Sequence, residues 1–333
     1  MSNTTYSLCV IGAGSYGTSL AIAVASKGLK VKLWDRNPER AAAMQLKREN
    51  ARYLLGIKFP DSLDVTSDLE QAIKSTQTIL IVVPSHTFRS ILEKIKNYIT
   101  PDHRIAWATK GLDSSGMLLS DVAMQFFSKD TKFAAISGPT FALELAKNLP
   151  TAIAVSGNDP KFTKDLSNIL HTPTFRIYEN SDFIALQLGG AIKNVIAIAC
   201  GLSDGLGYGA NSRTALVTRG LAEMVRFGIS RGATERGFMG LSGLGDLILT
   251  CTDDQSRNRR LGYMLGKGMS LDDAMQKIGQ VVEGVKMTSV VHALSTELKV
   301  QMPICSELYE VIYNHKDGKA AAIDLLSRTL KSE

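Results

Sequence analysis

One lysine stands in an otherwise apolar stretch of this 333-residue chain. In "LQLGGAIKNVIAIACG", residues 186–201, Lys193 is the single charged side chain, and its neighbours three and four positions away are two glycines, an isoleucine and an alanine. No carboxylate of the same helix can therefore pair with it. An amine in apolar surroundings has a lowered pKa, which suits a general acid or base. The alternative is a lysine that lays its stem on apolar surface and reaches water.

Three other short segments carry side chains that can assist such a lysine. Lys110 follows an apolar strand in "ATKGL", near the ligand-binding edge of a parallel sheet, although a solvated loop lysine fits the same place. Asp246 in "GLGDL" can hold an ammonium and tune its basicity, or serve as a turn or capping acid. In "DDQSRNRRLG", Ser256 can cap a helix whose first turn carries Arg257 and Asn258. Helix N–H groups and a guanidinium would then bind one phosphate, unless this is merely a basic, exposed helix start.

A glycine fingerprint near the N-terminus predicts a dinucleotide site. "CVIGAGSYGTSLA" places Gly12, Gly14 and Gly17 between an apolar strand and a helix, which is the context that the motif requires. Gly12 permits the tight turn, Gly14 lets backbone approach a pyrophosphate, and Gly17 lets helix and strand pack closely. The free N–H groups of the helix start then face the anion.

The second strand ends in two residues with opposite implications for the cofactor. Asp35 is the kind of acid that accepts hydrogen bonds from the ribose 2′-OH of NAD, whereas Arg36 favours the 2′-phosphate of NADP. The sequence does not decide which side chain faces the ribose. We therefore expect both NADH and NADPH to be used.

The elements that must position these residues change character along the chain. Apolar runs ending in glycine or proline alternate with helical patterns up to about residue 180, as in "YSLCVIGAG", "KVKLWDRNP", "TILIVVP", "RIAWATKG", "KFAAISGP" and "TAIAVSG". This alternation predicts an α/β fold with an N-terminal, Rossmann-type, doubly wound and mainly parallel sheet. Helical periodicity then dominates, which predicts an all-helical C-terminal domain. We place the domains at 1–180 and 181–333, with the glycine clusters at 205–209 and 240–245 as loops.

Composition limits the class of protein and its partners. The chain is 44% hydrophobic and 21% charged, typical of a soluble globular protein, and its length favours two domains. The net charge of +6 is compatible with a nucleic-acid or membrane surface, and an anionic small molecule suits it equally well. Because the basic residues are interleaved with acids and no basic run is punctuated by aromatics, we expect no nucleic-acid partner. The four cysteines are widely spaced in apolar sequence and the five histidines lack ligand spacing, so we expect reduced core thiols and no metal.

Two apolar segments invite comparison with a membrane-spanning helix and with a signal peptide, but neither is predicted to be one. The stretch around 183–202 contains Gln187, Lys193 and Asn194, so a buried helix is predicted rather than a membrane span. The N-terminus runs into a short strand without a basic flank or a cleavage-like site, which argues against a signal peptide. We therefore expect no stable membrane insertion.

Several of these motifs, taken together, resemble one enzyme family. "GAGSYGTSLA", "VPSHTFR", "ATKGL", "SGPTFALE", "GGAIKN", "GLSGLGDLILTC", "SRNRRLG" and "VVEGVKMT" occur in order from about residue 10 to 305. They closely resemble bacterial-type NAD(P)-dependent glycerol-3-phosphate dehydrogenase. The resemblance implies reversible reduction of dihydroxyacetone phosphate to sn-glycerol 3-phosphate, a precursor of glycerophospholipids. It also implies a cytoplasmic homodimer with a helical substrate domain.

The resemblance also implies roles for individual residues. The proton donor and acceptor falls on Lys193. Substrate contacts fall on Lys110, Gly138, Thr140, Lys193, Asp246, Ser256, Arg257 and Asn258. Cofactor contacts fall on the fingerprint residues Gly12, Gly14 and Gly17 and on Ser15, Tyr16, Arg36, Lys110, Ala142, Arg257, Val281 and Glu283. Tyr16 stands where many relatives have Trp, a modest change that keeps the stacking surface. Asp35 stands where many have a small neutral residue, so a strict preference for NADPH is not implied.

Two alternative functions share part of this pattern. A β-hydroxyacid dehydrogenase has a Rossmann domain, a helical domain and a catalytic lysine, but typically an Asn four residues after that lysine. This chain has Ala197 there. A nicotinamide-binding sensor without turnover would keep the glycine fingerprint but has no use for Lys193, Asp246 and Arg257 together.

Overall fold

The computed structural model of the chain describes residues 6–328, so the outermost parts of the two predicted domains, 1–5 and 329–333, lie outside the described residues. Residues 1–5 are also the start of the N-terminal segment that was compared with a signal peptide above. Within that range one sheet contains eight strands: β1 (Leu8–Ile11), β2 (Val31–Trp34), β3 (Leu63–Thr66), β4 (Thr78–Ile81), β5 (Arg104–Trp107), β6 (Lys132–Ser137), β7 (Thr151–Gly157) and β8 (Phe175–Glu179).

The sheet has the order β3-β2-β1-β4-β5-β6-β7-β8. All neighbouring pairs are parallel except β6 and β7, which are antiparallel. The doubly wound, mainly parallel sheet is therefore confirmed. Because parallel strands end at the same edge, the chain segments after β1, β4, β5 and β6 meet there. This edge is where the predicted fingerprint and Lys110 lie.

Central strands that are buried along their whole length could be predicted from the sequence, whereas partly exposed edge strands could not. The central strands β1 "LCVI" and β4 "TILI" are buried at every residue, and such continuous apolar runs are typical of parallel strands covered on both faces. All six strands predicted above are present. β3 "LDVT" alternates buried and half-buried residues, and β8 "FRIYE" has one fully buried residue. These two edge strands were missed because they lack a continuous apolar run.

Helices cover the sheet and form the C-terminal region. Those in the first part are α1 (Ser15–Ala25), α2 (Pro38–Lys47), α3 (Leu69–Lys74), α4 (Ser85–Ile95), α5 (Leu119–Met124), α6 (Ala142–Ala146) and α7 (Pro160–Leu170), with a 3-10 turn at Lys96–Tyr98. The later ones are α8 (Phe183–Gly205), α9 (Ala210–Ser230), α10 (Glu235–Phe238), α11 (Asp246–Thr252), α12 (Arg257–Gly266), α13 (Leu271–Ile278), α14 (Glu283–Glu297), α15 (Pro303–Tyr313) and α16 (Gly318–Leu326).

The predicted buried helix is α8, the centre of the helical region. Every residue from Ala185 to Ser203 is buried, and α9, α11, α12, α14 and α15 pack around it. By length and composition alone α8 is able to cross a membrane, but 89% of its most apolar window is buried inside the protein. A Cβ on Gly201 would overlap the Arg259 carbonyl, and one on Gly262 would overlap the Ile198 carbonyl. The backbones of α8 and α12 are therefore in direct contact.

One predicted loop is wrong. Residues Leu241–Gly245 form a single π-helical turn that continues into α11. A Cβ on Gly243 would overlap the Phe238 carbonyl, and one on Gly189 of α8 would lie 2.5 Å from the Ser242 carbonyl oxygen. The glycines thus let this turn lie directly on α8, which a loop prediction based on glycine content misses. The domain division near residue 180 stays a prediction; β8 ends at Glu179 and α8 begins at Phe183.

Candidate active site

The Lys193 ammonium lies inside the protein rather than in water. Its side chain is 7% exposed, and Nζ donates to Asp246 Oδ1 at 2.5 Å and to Thr250 Oγ1 at 2.9 Å. Both partners belong to α11, which packs against α8. The interpretation of Lys193 as a lysine that reaches water is therefore wrong.

A second lysine shares the same carboxylate. Lys110, just after β5, donates from Nζ to Asp246 Oδ2 at 2.7 Å and to the Gly138 carbonyl at 3.0 Å. Asp246 is 2% exposed and thus faces both ammonium groups instead of acting as a turn or capping acid. A cluster of two ammonium groups and one carboxylate has an excess positive charge. It favours an anion, or the loss of one proton from a lysine.

The two lysines that share this carboxylate have different pKa values. Burial lowers the pKa of Lys193 to about 7; the Asp246 carboxylate opposes this shift and the nearby Lys110 charge reinforces it. Burial acts against the charge of Lys110 too, but its interaction with Asp246 outweighs burial and raises its pKa. Of the two lysines, Lys193 is therefore the one with its pKa near neutral pH.

The fingerprint loop approaches this cluster from the sheet edge. The Tyr16 ring, at the start of α1, has its centroid 5.8 Å from Lys110 Nζ, and burial raises the pKa of the Tyr16 phenol. Gly138 has a φ of +153°, and its carbonyl accepts from Thr140 Oγ1 at 3.3 Å as well as from Lys110. The predicted cofactor and substrate residues Tyr16, Lys110, Gly138, Thr140, Asp246 and Lys193 therefore form one continuous group.

The start of α12 is held beside Lys193 by asparagines. Ser256 caps α12 as predicted, with Oγ accepting from the Arg259 N–H at 3.2 Å. Asn258 donates to Asn194 Oδ1 at 2.9 Å and accepts from the Gly284 N–H at 2.9 Å. The polar groups of Asn258 are thus bonded within the protein and tie α8, α12 and α14 together.

Arg257 has a different environment from its two neighbours. Within residues 6–328 it forms no ion pair, and its side-chain hydrogen bond to Gln280 Oε1 is long, at 3.4 Å. Burial lowers the pKa of its guanidinium, while the charge of Glu283 opposes the shift. Arg257 is therefore a partly buried cation with donors available for an anion.

Comparisons with known proteins match the whole chain. Residues 7–163 match the family model for the N-terminus of NAD-dependent glycerol-3-phosphate dehydrogenase, and residues 182–322 match the model for its C-terminus. The glycerol-3-phosphate dehydrogenase (NAD(P)+) of Tolumonas auensis is 52% identical over 333 residues, covering 99% of this chain and 100% of the relative. The chain belongs to the NAD-dependent glycerol-3-phosphate dehydrogenase family.

Two further comparisons agree with this assignment. The Klebsiella pneumoniae glycerol-3-phosphate dehydrogenase (NAD(P)+) is 54% identical over 328 residues, which are 98% of this chain and 97% of the relative. The crystal structure of glycerol-3-phosphate dehydrogenase from Coxiella burnetii aligns with a TM-score of 0.94 at 43% identity, covering 97% of this chain and 99% of that one. The protein is thus an oxidoreductase with NAD(P)-dependent glycerol-3-phosphate dehydrogenase activity, and the assignment favours this function over both alternatives.

The fingerprint of the dehydrogenase fits a nicotinamide dinucleotide. Gly12 has a φ of +117°, and a Cβ there would overlap the Val82 carbonyl, whereas a Cβ on Gly14 meets nothing within 4 Å. A Cβ on Gly17 would overlap the Gly12 carbonyl. The N-cap of α1 is Gly14, and no side chain among residues 6–328 caps this helix start. Free N–H groups and an open backbone are therefore available at Gly14 for the pyrophosphate.

The other predicted cofactor residues of the dehydrogenase lie on several elements and are not all in contact with one another. Ser15 and Ala142 are the first residues of α1 and α6, and these two helices pack together. Glu283, at the start of α14, accepts from Ser85 Oγ at 2.8 Å and so joins the helical region to α4. Arg36 and Val281 are exposed, and the Arg36 guanidinium makes no hydrogen bond within residues 6–328.

Sequence reasoning missed several polar residues of the site. Thr250 lies four positions after Asp246, a spacing that places both on one face of α11 and that would have revealed it. Asn194 directly follows Lys193, but its contact with Asn258 joins residues 64 positions apart. Ser85 and Arg40 gave no signal, because their partners Glu283 and Asp35 are not at helical spacing. Residues 6–328 contain no group of His, Cys, Asp or Glu arranged for a metal ion; metal-free chemistry stays a prediction.

Proposed function

We propose that this chain transfers hydride reversibly between NAD(P)H and dihydroxyacetone phosphate, giving sn-glycerol 3-phosphate, with Lys193 as general acid and base. The observation that carries the proposal is the buried Lys193 ammonium, which shares the Asp246 carboxylate with Lys110. Burial lowers the Lys193 pKa to about 7, so both protonation states are populated at neutral pH.

The bound nicotinamide supplies the hydride for ketone reduction and accepts it in the reverse reaction. As the carbonyl carbon is reduced, negative charge builds on the carbonyl oxygen, and the Lys193 ammonium donates a proton to that oxygen. In the oxidation direction the neutral Lys193 amine takes the hydroxyl proton. Asp246 and Thr250 hold the amine in one orientation through its hydrogen bonds, so proton transfer needs no rearrangement.

Lys110 and Arg257 supply the charge that an anionic substrate needs. Lys110 keeps its proton because its pKa is raised, so its charge remains when Lys193 is neutral. We assign the substrate phosphate to Arg257 at the start of α12, because a guanidinium and the N–H groups of a helix start can bind one anion together. Ser256 and Asn258 hold that helix start in place. We assign the ketone to the place beside Lys110, Gly138 and Thr140, which are joined through the Gly138 carbonyl.

We assign the cofactor to the fingerprint loop and to residues near the start of α14. The residues assigned to it are Gly12, Gly14, Ser15, Tyr16, Gly17, Arg36, Lys110, Ala142, Arg257, Val281 and Glu283. The division of labour follows the predicted domains, with 1–180 binding NAD(P)H and 181–333 binding substrate and forming a homodimer. The reaction takes place in the cytoplasm without a metal ion and supplies sn-glycerol 3-phosphate for glycerophospholipid synthesis.

A substrate comparison tests the proposed function. Purified protein is mixed with NADH and dihydroxyacetone phosphate, and the absorbance of reduced nicotinamide is followed. We expect rapid oxidation of NADH with this ketone and little with a β-keto acid lacking phosphate. Preference for the keto acid would indicate a β-hydroxyacid dehydrogenase. NADH binding without oxidation by either substrate would indicate a sensor.

A further inference from the structure

Asp35 at the end of β2 is not a free carboxylate. Its side chain is 6% exposed, and Oδ1 accepts from the Asn37 N–H at 2.8 Å and from Arg40 Nη2 at 2.7 Å. The sequence alone presents Asp35 as an acid that favours NADH and repels a 2′-phosphate. In the folded chain its charge is balanced by Arg40.

Local structure fixes Arg40 in this position. Asn37 caps α2 by accepting the Arg40 N–H on Oδ1 at 2.8 Å, and Pro38 occupies the first helical position. Arg40 therefore emerges from the first turn of α2, directly beside the end of β2. Within residues 6–328 its guanidinium forms one ion pair, with Asp35, and its Nε is buried without an acceptor. The positive charge of Arg40 is thus directed at a single carboxylate.

We propose that Arg40 determines cofactor selectivity by neutralising Asp35, which allows the site to accept the 2′-phosphate of NADPH. This inference rests on the proposed use of NAD(P)H and deepens it. An unpaired carboxylate strongly repels a neighbouring phosphate, whereas a carboxylate paired with a guanidinium does not. Within residues 6–328 both hydrogen bonds to the Asp35 side chain converge on Oδ1, which leaves Oδ2 for a ribose hydroxyl of NADH. Arg36, exposed next to it, adds positive charge on the same edge.

Binding titrations on three variants test this role without any turnover. Arg40→Met, Asp35→Asn and the double variant are titrated with NADPH and with NADH by calorimetry, with no substrate present. We expect Arg40→Met to weaken NADPH binding by about tenfold or more, because Asp35 is then unpaired. NADH binding should change by less than about threefold. The double variant should regain NADPH affinity to within about threefold of the parent, because the repelling charge is gone.

Lys47→Met is the matched control, because it removes one positive charge from the other end of α2 without touching Asp35. It should leave the ratio of the two affinities unchanged, and thermal unfolding of each variant verifies the fold. Equal weakening of NADH and NADPH in Arg40→Met, or a double variant that fails to regain NADPH binding, would overturn the proposal. A chain that bound these cofactors as expected but did not reduce dihydroxyacetone phosphate would contradict only the proposed function.

Discussion

Replacing Asp246 with Asn tests whether one carboxylate sets the protonation of Lys193. The carboxylate lies 2.5 Å from Lys193 Nζ and 2.7 Å from Lys110 Nζ, and all three side chains are at most 16% exposed. Asn keeps the shape but removes the charge. Two buried ammonium groups then face each other without a counter-charge, so the pKa of Lys193 should fall below its present value of about 7.

The size of this shift follows from the cost of breaking a buried ion pair. Removing one partner of such a pair costs about 3–5 kcal/mol, and each pKa unit corresponds to about 1.4 kcal/mol. We therefore expect the Lys193 pKa to fall by about two units or more. Ketone reduction needs the protonated amine, so its rate falls as pH rises through this pKa. At pH 7.5 the variant should reduce dihydroxyacetone phosphate about a hundredfold more slowly than the parent.

The assay is the pH dependence of kcat in both directions with saturating NADH or NAD. The parent should lose reduction rate above about pH 7 and gain oxidation rate over the same range. In Asp246→Asn both half-points should move to lower pH. Asp64→Asn is the control, because Asp64 lies 4.0 Å from the partly buried Lys32, outside the site. A variant that is slow but keeps the parental half-points would refute a role for Asp246 in tuning Lys193.

Three further predictions follow from other contacts. Arg257→Ala should abolish the preference for dihydroxyacetone phosphate over dihydroxyacetone and leave the slow rate on dihydroxyacetone nearly unchanged. A preference that survives would assign the phosphate to Lys110 instead. Arg36→Ala should reduce kcat/KM with NADPH more than with NADH, and equal losses would show that it does not bind the 2′-phosphate. Gly262→Val should lower Tm by about 3–10 °C, because its side chain would overlap the Ile198 carbonyl; an unchanged Tm would show that α8 and α12 move apart freely.

Features encoded by local spacing could be predicted from the sequence. The fingerprint glycines, the buried strands and the Ser256 cap each depend on residues within one turn or one strand. The same locality identified Lys193 as a charge without a helical partner. The β3 and β8 edge strands lack a continuous apolar run, and the glycines of the π-helical turn at Leu241–Gly245 are typical of a loop, so these elements were missed or misassigned.

Contacts between distant segments could not be derived from spacing. Lys193 and Asp246 are 53 positions apart, and Lys110 and Asp246 are 136 apart, so only the fold brings the three together. The family resemblance named these residues, but it did not reveal that two lysines share one carboxylate. The ion pair between Asp35 and Arg40 could not be derived from spacing either. Arg40 is five positions away from Asp35 across a strand end and a helix cap, a geometry that no periodic pattern describes.

The most direct test of the central claim is the turnover of Lys193→Met. Met fills the space of the lysine stem, and Lys110 still pairs with Asp246, so the remaining buried charges balance and the fold should persist. NADH affinity should stay within about threefold of the parent, and reduction of dihydroxyacetone phosphate should fall by about a hundred- to ten-thousandfold. Lys32→Met, which removes a buried lysine outside the site, should keep full activity. A folded Lys193→Met protein that reduces the ketone within about threefold of the parental rate would contradict the account.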